Sequence, residues 1–222
     1  MDALKAIRHR RSVRSYTDRP VDDKDLDRLL RLALLAPTGS MAQAWSLLVV
    51  RDKEQREALA ELVIKGGGTY FAMMRPRAEG HTDEQHAAWG LEYANEVLDS
   101  YRRVPVWILG LVVPRHTFPA EEREKERTAD VVSIGFAMEN LMVAARAKGL
   151  GTVPTVFHWF EDEAFRALFD LPAEIECPVL TPLGYPTEFP EGLPPRLASI
   201  RRPWRTLVHD ERWGNPRQQP EG

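Results

Sequence analysis

The segment ADVVSIGFAMENLMVAARAKGLG, residues 129–151, constrains the fold more than any other part of the sequence. Its apolar residues cover nearly the whole circumference of a helix, interrupted in the middle by Ser133, Glu139 and Asn140. A helix that is apolar almost all round is buried on most of its faces. We therefore predict a central helix that ends near Gly149, with Glu139 and Asn140 as a polar pair satisfied within the core or at a seam between subunits.

Helices and strands are expected to alternate on both sides of this central helix. Asp2 is expected to cap a short helix through about His9, and Asp22 to cap a second helix that Pro37 ends. Short apolar runs predict three buried strands, and apolar residues at helical spacing predict three further helices. The strands lie at about 44–52, 104–114 and 177–186, and the helices at about 53–64, 83–101 and 161–172.

Three consecutive glycines, Gly66–Gly68, are expected to end the helix that begins near Lys53. Residues 66–83 would then form an irregular segment rich in aromatic side chains. Alternating strands and helices with long connections favour an α+β fold, in which helices flank a mixed central sheet.

The composition favours one ordinary domain. The 222 residues include 43% hydrophobic residues, and no linker divides them, so we expect a single domain over 1–214 and a flexible tail over 215–222. The net charge of -3 argues against nucleic acid as a partner, and no apolar run approaches the length of a membrane helix. The single cysteine, Cys177, cannot form an internal disulfide, so a reducing cytoplasm is expected.

Motifs for nucleophilic or metal chemistry are absent from the sequence. It contains no G-x-S-x-G elbow, no Walker A loop and no C-x-x-C pair, and its histidines lack zinc-binding spacing. The run GLGTVP, residues 149–154, has Pro154 at the third glycine position of a dinucleotide-binding motif. An enzyme with this sequence would therefore rely on a cofactor for its chemistry, with no metal.

The run RHRRSVRSY, residues 8–16, concentrates positive charge in a chain that is otherwise not basic. Arginine recognises phosphate through two parallel hydrogen bonds, and a serine hydroxyl can add a third. Arg10, Arg11 and Ser12 could thus hold one phosphomonoester. The alternative, which this stretch alone favours slightly, is a solvated basic patch that pairs with the acidic DDKDLD helix.

Five segments, taken in order, resemble the FMN-dependent nitroreductase family. They are RRSVRSY with LALLAPTGSMAQAWSLLVVRD, then DVVSIGFAMENLMVAARAKGLGT, FRALFDLPAEIECPVLTPLGYP and RRPWRTLVHDERWG. The resemblance extends from about residue 4 to residue 214. It implies a nitroreductase-like fold and an intertwined homodimer with FMN at the subunit interface. Two positions depart from the family pattern: Met41 stands where Asn is usual, and Ala44 where Pro is usual.

The resemblance also implies roles for individual residues. Arg10, Arg11 and Ser12, completed by Arg201, match the positions that hold the flavin phosphate, and Arg14 matches a cation that tunes the flavin near N1 and O2. The loop that reaches the flavin from the partner subunit matches Pro37, Thr38, Gly39 and Met41. Gln43 follows it, as a ligand contact or as a structural hydrogen bond. The loop whose backbone lies near flavin N5 matches Pro154, Thr155 and Val156.

The substrate pocket would involve Tyr70, Phe71 and Met74, for which ordinary packing is an equal alternative, together with His158. The implied activity is a ping-pong oxidoreductase: NAD(P)H reduces FMN at N5, and an electron-poor acceptor such as a nitroaromatic or quinone is then reduced. No side chain need be catalytic. The alternatives are a specialised flavoenzyme of the same fold, either a reductive dehalogenase or a flavin-destroying enzyme, and a non-enzymatic flavin-binding protein.

Overall fold

The computed structural model describes residues 1–217, which form two compact units, Met1–Phe189 and one that begins at Pro190. In chain order, the helices are α1 (Ala3–His9), α2 (Asp23–Ala33), α3 (Lys53–Met74), α4 (Asp83–Leu98), α5 (Arg123–Ala147), α6 (Asp162–Leu168) and α7 (Pro195–Ile200). The strands are β1 (Trp45–Val50), β2 (Val106–Val112), β3 (Gly151–Thr152) and β4 (Glu176–Gly184). The α+β class predicted from the sequence is confirmed.

The four strands form one sheet in the order β1-β2-β4-β3. Every ladder between these strands is antiparallel, whereas a mixed sheet was expected, and the parallel pairing recorded is a single bridge from Ser12 to Thr152. The connection from β1 to β2 explains this difference. It contains two helices, α3 and α4, that run antiparallel, so the chain returns to the end of the sheet that it left.

Helices cover both faces of the sheet, and the central strand β2 is buried along its whole length. Side chains on a strand point alternately to opposite faces. Trp107 and Leu109 accordingly pack with α3 and α4, while Val106 and Ile108 pack with α2 and α5. This two-sided burial accounts for the continuous apolar run in the sequence of β2.

The predicted central helix is confirmed as α5, a helix of 25 residues. The stretch Ala120–Ala147 is long and apolar enough to cross a membrane by length and composition alone, but the core helix of a soluble protein has the same character. Here α5 packs against α2 and against all four strands of the sheet. Its burial against the sheet fits the role of a core helix.

The three glycines do not break α3, contrary to the prediction from sequence. A methyl group on Gly66 would lie 2.0 Å from the backbone oxygen of Phe157, and one on Gly68 would lie 2.8 Å from Cα of Leu91. The glycines therefore let α3 approach α4 and the segment at Phe157 more closely than any side chain would allow. The helix continues to Met74, so the irregular segment is limited to residues 75–82.

Local capping follows the prediction. The side chain of Asp2 accepts a hydrogen bond from the backbone of Lys5, and Asp22 caps α2 in the same way.

In the second unit, the backbone N–H of Arg217 donates to the carbonyl of Val208 at 3.0 Å, and its guanidinium pairs with Asp210. Residues 215–217 of the predicted tail include these contacts of Arg217, while residues 218–222 lie outside the described residues.

Candidate functional site

The arginine run begins at the C-terminus of α1 and continues beside strand β3. Ser12 bridges to Thr152, and the backbone N–H of Val13 donates to the Thr152 carbonyl at 3.0 Å. Val13 is buried against Gly151, where any side chain would collide with it, and Tyr16 donates its hydroxyl to the Val13 carbonyl at 2.8 Å. The chain is therefore fixed at Val13, with Ser12 half-buried beside it.

Arg14 has a fixed backbone and an exposed side chain. Ser100, which is buried, donates its hydroxyl to the Arg14 carbonyl at 2.8 Å and accepts from the backbone of Tyr16 at 3.2 Å. No ion pair within residues 1–217 involves the Arg14 guanidinium. A cation held this way can approach a bound ligand without losing a protein partner.

Guanidinium groups meet the last carbonyls of α1. Arg11 donates from Nη1 to the carbonyls of Arg8, at 2.9 Å, and Arg10, at 2.7 Å. Arg146, from α5, donates from Nε to the carbonyl of His9 at 3.1 Å. The C-terminal carbonyls of a helix carry partial negative charge, which these two cations offset. Both guanidinium groups are thereby held at this end of α1.

Arg146 is a site residue that the sequence analysis missed. Burial, and after it the charge of Arg11, lower the pKa of Arg146 below its usual value. Its guanidinium carbon also lies 3.7 Å from the centre of the Phe189 ring. Among residues 1–217, the side-chain ion pairs include neither Arg11 nor Arg146. The signal in the sequence was a single arginine near the end of an apolar helix, three positions before Gly149 of GLGT.

Arg10 forms the one carboxylate contact of this cluster. Its Nε donates to Oε1 of Glu139 on α5 at 3.2 Å, and the two side chains are 27% and 49% exposed. Glu139 and Asn140 are not enclosed in the core of this chain, because both residues lie on an exposed face of α5, so that part of the prediction is wrong. The alternative position, at a seam between subunits, stays a prediction. The helix is apolar in composition, but one side of it is open in this chain.

The segment Pro154–Val156 lies next to the arginine run, because it directly follows β3. Thr155 is buried, and its backbone exchanges two hydrogen bonds with Leu180 of β4, at 2.9 and 3.1 Å. Proline has no N–H, and the Thr155 N–H is occupied by Leu180. Among the described residues, Val156 alone of the three has a backbone N–H with no recorded acceptor.

The loop Pro37–Gln43 lies at the opposite corner of the sheet. It precedes Trp45 in edge strand β1, which is level with Glu176 of β4, whereas Thr152 pairs with Leu183 at the other end of β4. Strand spacing and rise place the two corners on the order of 25 Å apart. Within one chain, this loop therefore does not meet the arginine run.

The same loop is a short, partly strained turn. Gly39–Met41 form one 3-10 turn, and Thr38 accepts a hydrogen bond from the Gln43 backbone at 3.3 Å. Met41 and Gln43 both have positive φ, a conformation that such side chains rarely adopt. Met41 is 77% exposed, and the Gln43 side chain is also exposed.

The candidate substrate residues lie apart from the arginine run in sequence and are mostly packed. Tyr70 and Phe71 contact the ring of Phe157, with ring centroids 5.2 and 5.6 Å apart, whereas Met74 is exposed at the end of α3. They belong to a helix and not to an irregular segment.

His158 is buried and does not present a pocket wall, contrary to the sequence analysis. Its Nε2 is 2.8 Å from the carbonyl of Cys177, and Nδ1 has no hydrogen-bond partner. Burial lowers the pKa of His158 to about 4. A neutral, enclosed imidazole of this kind serves packing.

Arg201 belongs to the second unit, directly after α7. Its backbone N–H donates to the Ala198 carbonyl at 3.3 Å, and its side chain is exposed. Within residues 1–217, no group of three His, Cys, Asp or Glu side chains could hold a metal ion.

Helices on both faces of an antiparallel sheet, with several arginines gathered at the β3 edge, define an α+β protein. The model of the nitroreductase family matches residues 7–185, and the chain belongs to this family.

Named relatives support this membership. A putative NADH dehydrogenase/NAD(P)H nitroreductase of Archaeoglobus fulgidus is 29% identical over 84% of this chain and 87% of its own length. An iodotyrosine deiodinase of Thermotoga neapolitana is 26% identical over 87% and 92%. The fold is also that of the NADPH:FMN oxidoreductase from Vibrio harveyi complexed with NAD+, with a TM-score of 0.69 and 19% identity over 97% of this chain and 79% of the other.

Proposed function

We propose that this protein is an FMN-dependent oxidoreductase that takes electrons from NAD(P)H. The observation that carries the proposal is the pair of guanidinium groups at Arg11 and Arg146, which lacks a carboxylate partner among the described residues. Two neighbouring cations without counter-charge favour an anionic ligand. The flavoprotein of known structure with the same fold, and the nitroreductase among the relatives, support FMN as that ligand.

The donors at the site suit a phosphomonoester. Arg10, Arg11 and Ser12 would bind the flavin phosphate, and Arg146 would add positive charge next to them. Arg201 stays a phosphate-binding candidate on the family resemblance alone. When bound, the flavin supplies hydride transfer through its N5 atom. Arg14 would place its charge at the N1/O2 edge, where positive charge favours the reduced, anionic form.

The segment after β3 would orient the ring. Of its three residues, Val156 has the available backbone N–H, so we propose that this N–H donates to N5. The two hydrogen bonds between Thr155 and Leu180 hold that N–H in place. Side-chain chemistry is not required here, because the protein's part is to bind and orient.

The loop Pro37–Gln43 would act from a second copy of the chain. We propose a homodimer in which Pro37, Thr38, Gly39 and Met41 of each subunit reach the site of the other. The separation of the loop from the arginine run within one chain supports this, as do the exposed apolar side chains on α1 and α5. These are Leu4, Ile7, Val132 and Phe136. The single thiol, buried at Cys177, is consistent with our proposal of a cytoplasmic location.

Reductive dehalogenation is the second candidate. Iodotyrosine deiodinases are among the relatives, and Met41 offers an apolar, exposed side chain in the loop where the family usually has a polar one. The same bound cofactor could serve both reactions. The choice of acceptor would then depend on side chains near Met41 rather than on the phosphate site.

Absorbance of the purified protein, before and after adding FMN, tests the proposal. We expect a yellow dimer whose flavin absorbance is bleached anaerobically by NADH or NADPH and restored by a quinone, a nitroaromatic or an iodinated phenol. A protein that binds FMN but is not reduced by either nucleotide would be a flavin-binding protein and not this enzyme. The double variant Arg10→Ala/Arg201→Ala should lose FMN; unchanged affinity would refute the phosphate site.

A further inference from the structure

We propose that Glu139 is a positioning residue for the phosphate site. It accepts a hydrogen bond from Nε of Arg10 and leaves the two terminal nitrogens of that guanidinium for the ligand. The proposal rests on the proposed function. It concerns a glutamate on α5, 129 positions along the chain from the arginine that it contacts.

The geometry of the contact separates the two edges of the guanidinium. Glu139 accepts from Nε of Arg10 at 3.2 Å, and among residues 1–217 the two terminal nitrogens, Nη1 and Nη2, have no recorded partner. An arginine fork binds phosphate best through parallel N–H groups. With Nε occupied by Glu139, the Nη1 and Nη2 groups of Arg10 stay available. Arg11 differs, because its Nη1 is occupied by two backbone carbonyls.

The helix α5 supports this arrangement at two points. Glu139 contacts the side chain of Arg10, and Arg146 contacts the carbonyl of His9. The two residues on α5 are seven positions apart, which is two helical turns and places them on one face. Both ends of the short segment from His9 to Arg10 are thereby tied to the same rigid helix.

We expect this contact to raise the affinity for a phosphate-bearing ligand, because it orders the Arg10 side chain before the ligand binds. A free arginine side chain loses rotamer freedom when it grips a ligand, and a contact that fixes it beforehand reduces that loss. The ion pair itself is half-exposed, so it adds little to the stability of the fold. We therefore expect removal of Glu139 to weaken the binding of a phosphate-bearing ligand and to leave the melting temperature nearly unchanged.

Fluorescence titration of the apoprotein with FMN and with riboflavin measures this directly. Riboflavin lacks the phosphate, so it reports every flavin contact except the one at issue. For Glu139→Ala we expect about 5- to 10-fold weaker FMN binding and unchanged riboflavin binding. Glu139→Gln keeps an oxygen that accepts from Nε and should restore most of the FMN affinity. Glu96→Ala, an exposed glutamate on α4, removes the same charge elsewhere and should change neither.

A double-mutant cycle identifies Arg10 as the intermediary. If Glu139 acts through Arg10, then Arg10→Ala/Glu139→Ala binds FMN no more weakly than Arg10→Ala alone. Additive losses would overturn the proposal, as would tighter FMN binding by Glu139→Ala, which would make Glu139 a competitor of phosphate. Wild-type protein that binds FMN with no response to Glu139→Ala refutes this inference alone. Wild-type protein that does not bind FMN refutes the proposed function and this inference with it.

Discussion

Two runs of unusual composition, the glycines at 66–68 and the arginines at 8–14, have opposite physical origins. We name the first, with its contacts to Leu91 and Phe157, the glycine seam; the second is the arginine run. In the glycine seam, the space that a side chain on each glycine would need is occupied by atoms from another part of the same chain. At the arginine run, Arg11 lies close to Arg146 of α5, and neither has a carboxylate partner among the described residues. The packing of the first region is completed within the chain, whereas we propose that the second region is completed by an anionic ligand.

The largest effect on stability is expected from adding a side chain within the glycine seam. Gly66→Ala would place a methyl group 2.0 Å from a backbone oxygen, and neither helix α3 nor the segment at Phe157 can yield easily. We expect the free energy of unfolding to fall by about 3 kcal/mol or more, measured by urea denaturation. Thr69→Ala, an exposed change within the same turn of α3, is the control and should be nearly neutral. A stable Gly66→Ala variant would mean that the seam is not closely packed.

The second effect is the pH dependence of stability caused by His158, which is the neighbour of Phe157 in the glycine seam. Burial lowers the pKa of His158 from 6.5 to about 4, so between these values the unfolded chain binds a proton that the folded protein excludes. Stability should therefore fall as pH drops from about 6.5 to 4, by up to about 3 kcal/mol.

His158→Asn should flatten this dependence in denaturation curves measured at several pH values. His81→Asn, in which an exposed histidine is replaced, should leave the slope as it is in the wild type. Equal slopes for all three proteins would contradict a buried neutral His158.

The third effect belongs to the arginine run. Arg11→Ala should weaken FMN binding about 10- to 100-fold, because a charge-assisted hydrogen bond to phosphate is lost. Arg8→Ala is the matched control, since Arg8 is an exposed arginine three positions away that contributes only its backbone carbonyl. If both variants lose affinity equally, the effect is general electrostatic attraction and not a site.

The smallest effect on FMN binding is expected at Arg146, which contacts the backbone of the arginine run at His9. Arg146→Leu should weaken FMN binding about 3- to 10-fold, because it removes nearby charge and releases the carbonyl of His9. Titration with FMN and riboflavin measures it, and Arg31→Leu, an exposed cation on α2, serves as the control. A loss of riboflavin affinity as large as that of FMN would indicate a general structural defect.

The sequence predicted what depends on local chemistry. Asp2 and Asp22 cap their helices because a short side-chain oxygen bonds the free N–H groups of the first turn. The central helix and the three longer strands followed from continuous apolar runs of different length. The family resemblance was confirmed over residues 7–185.

The sequence failed where a distant partner decides the outcome. Gly68 suggested a helix end, but Leu91 approaches it and makes glycine a requirement of packing. His158 suggested a pocket wall, yet it is buried beside the carbonyl of Cys177. Propensity describes a residue alone, and tertiary contacts can override it.

By itself, the sequence determined the α+β class, the helix caps and the presence of a concentrated basic run near the N-terminus. Only the tertiary structure decided which residues join that run. It brought Glu139 and Arg146 to Arg10 and His9 across more than 120 positions, and it separated the Pro37–Gln43 loop from them by the width of the sheet. The reason is physical: caps depend on neighbours within one helical turn, whereas a binding site depends on which surfaces pack together.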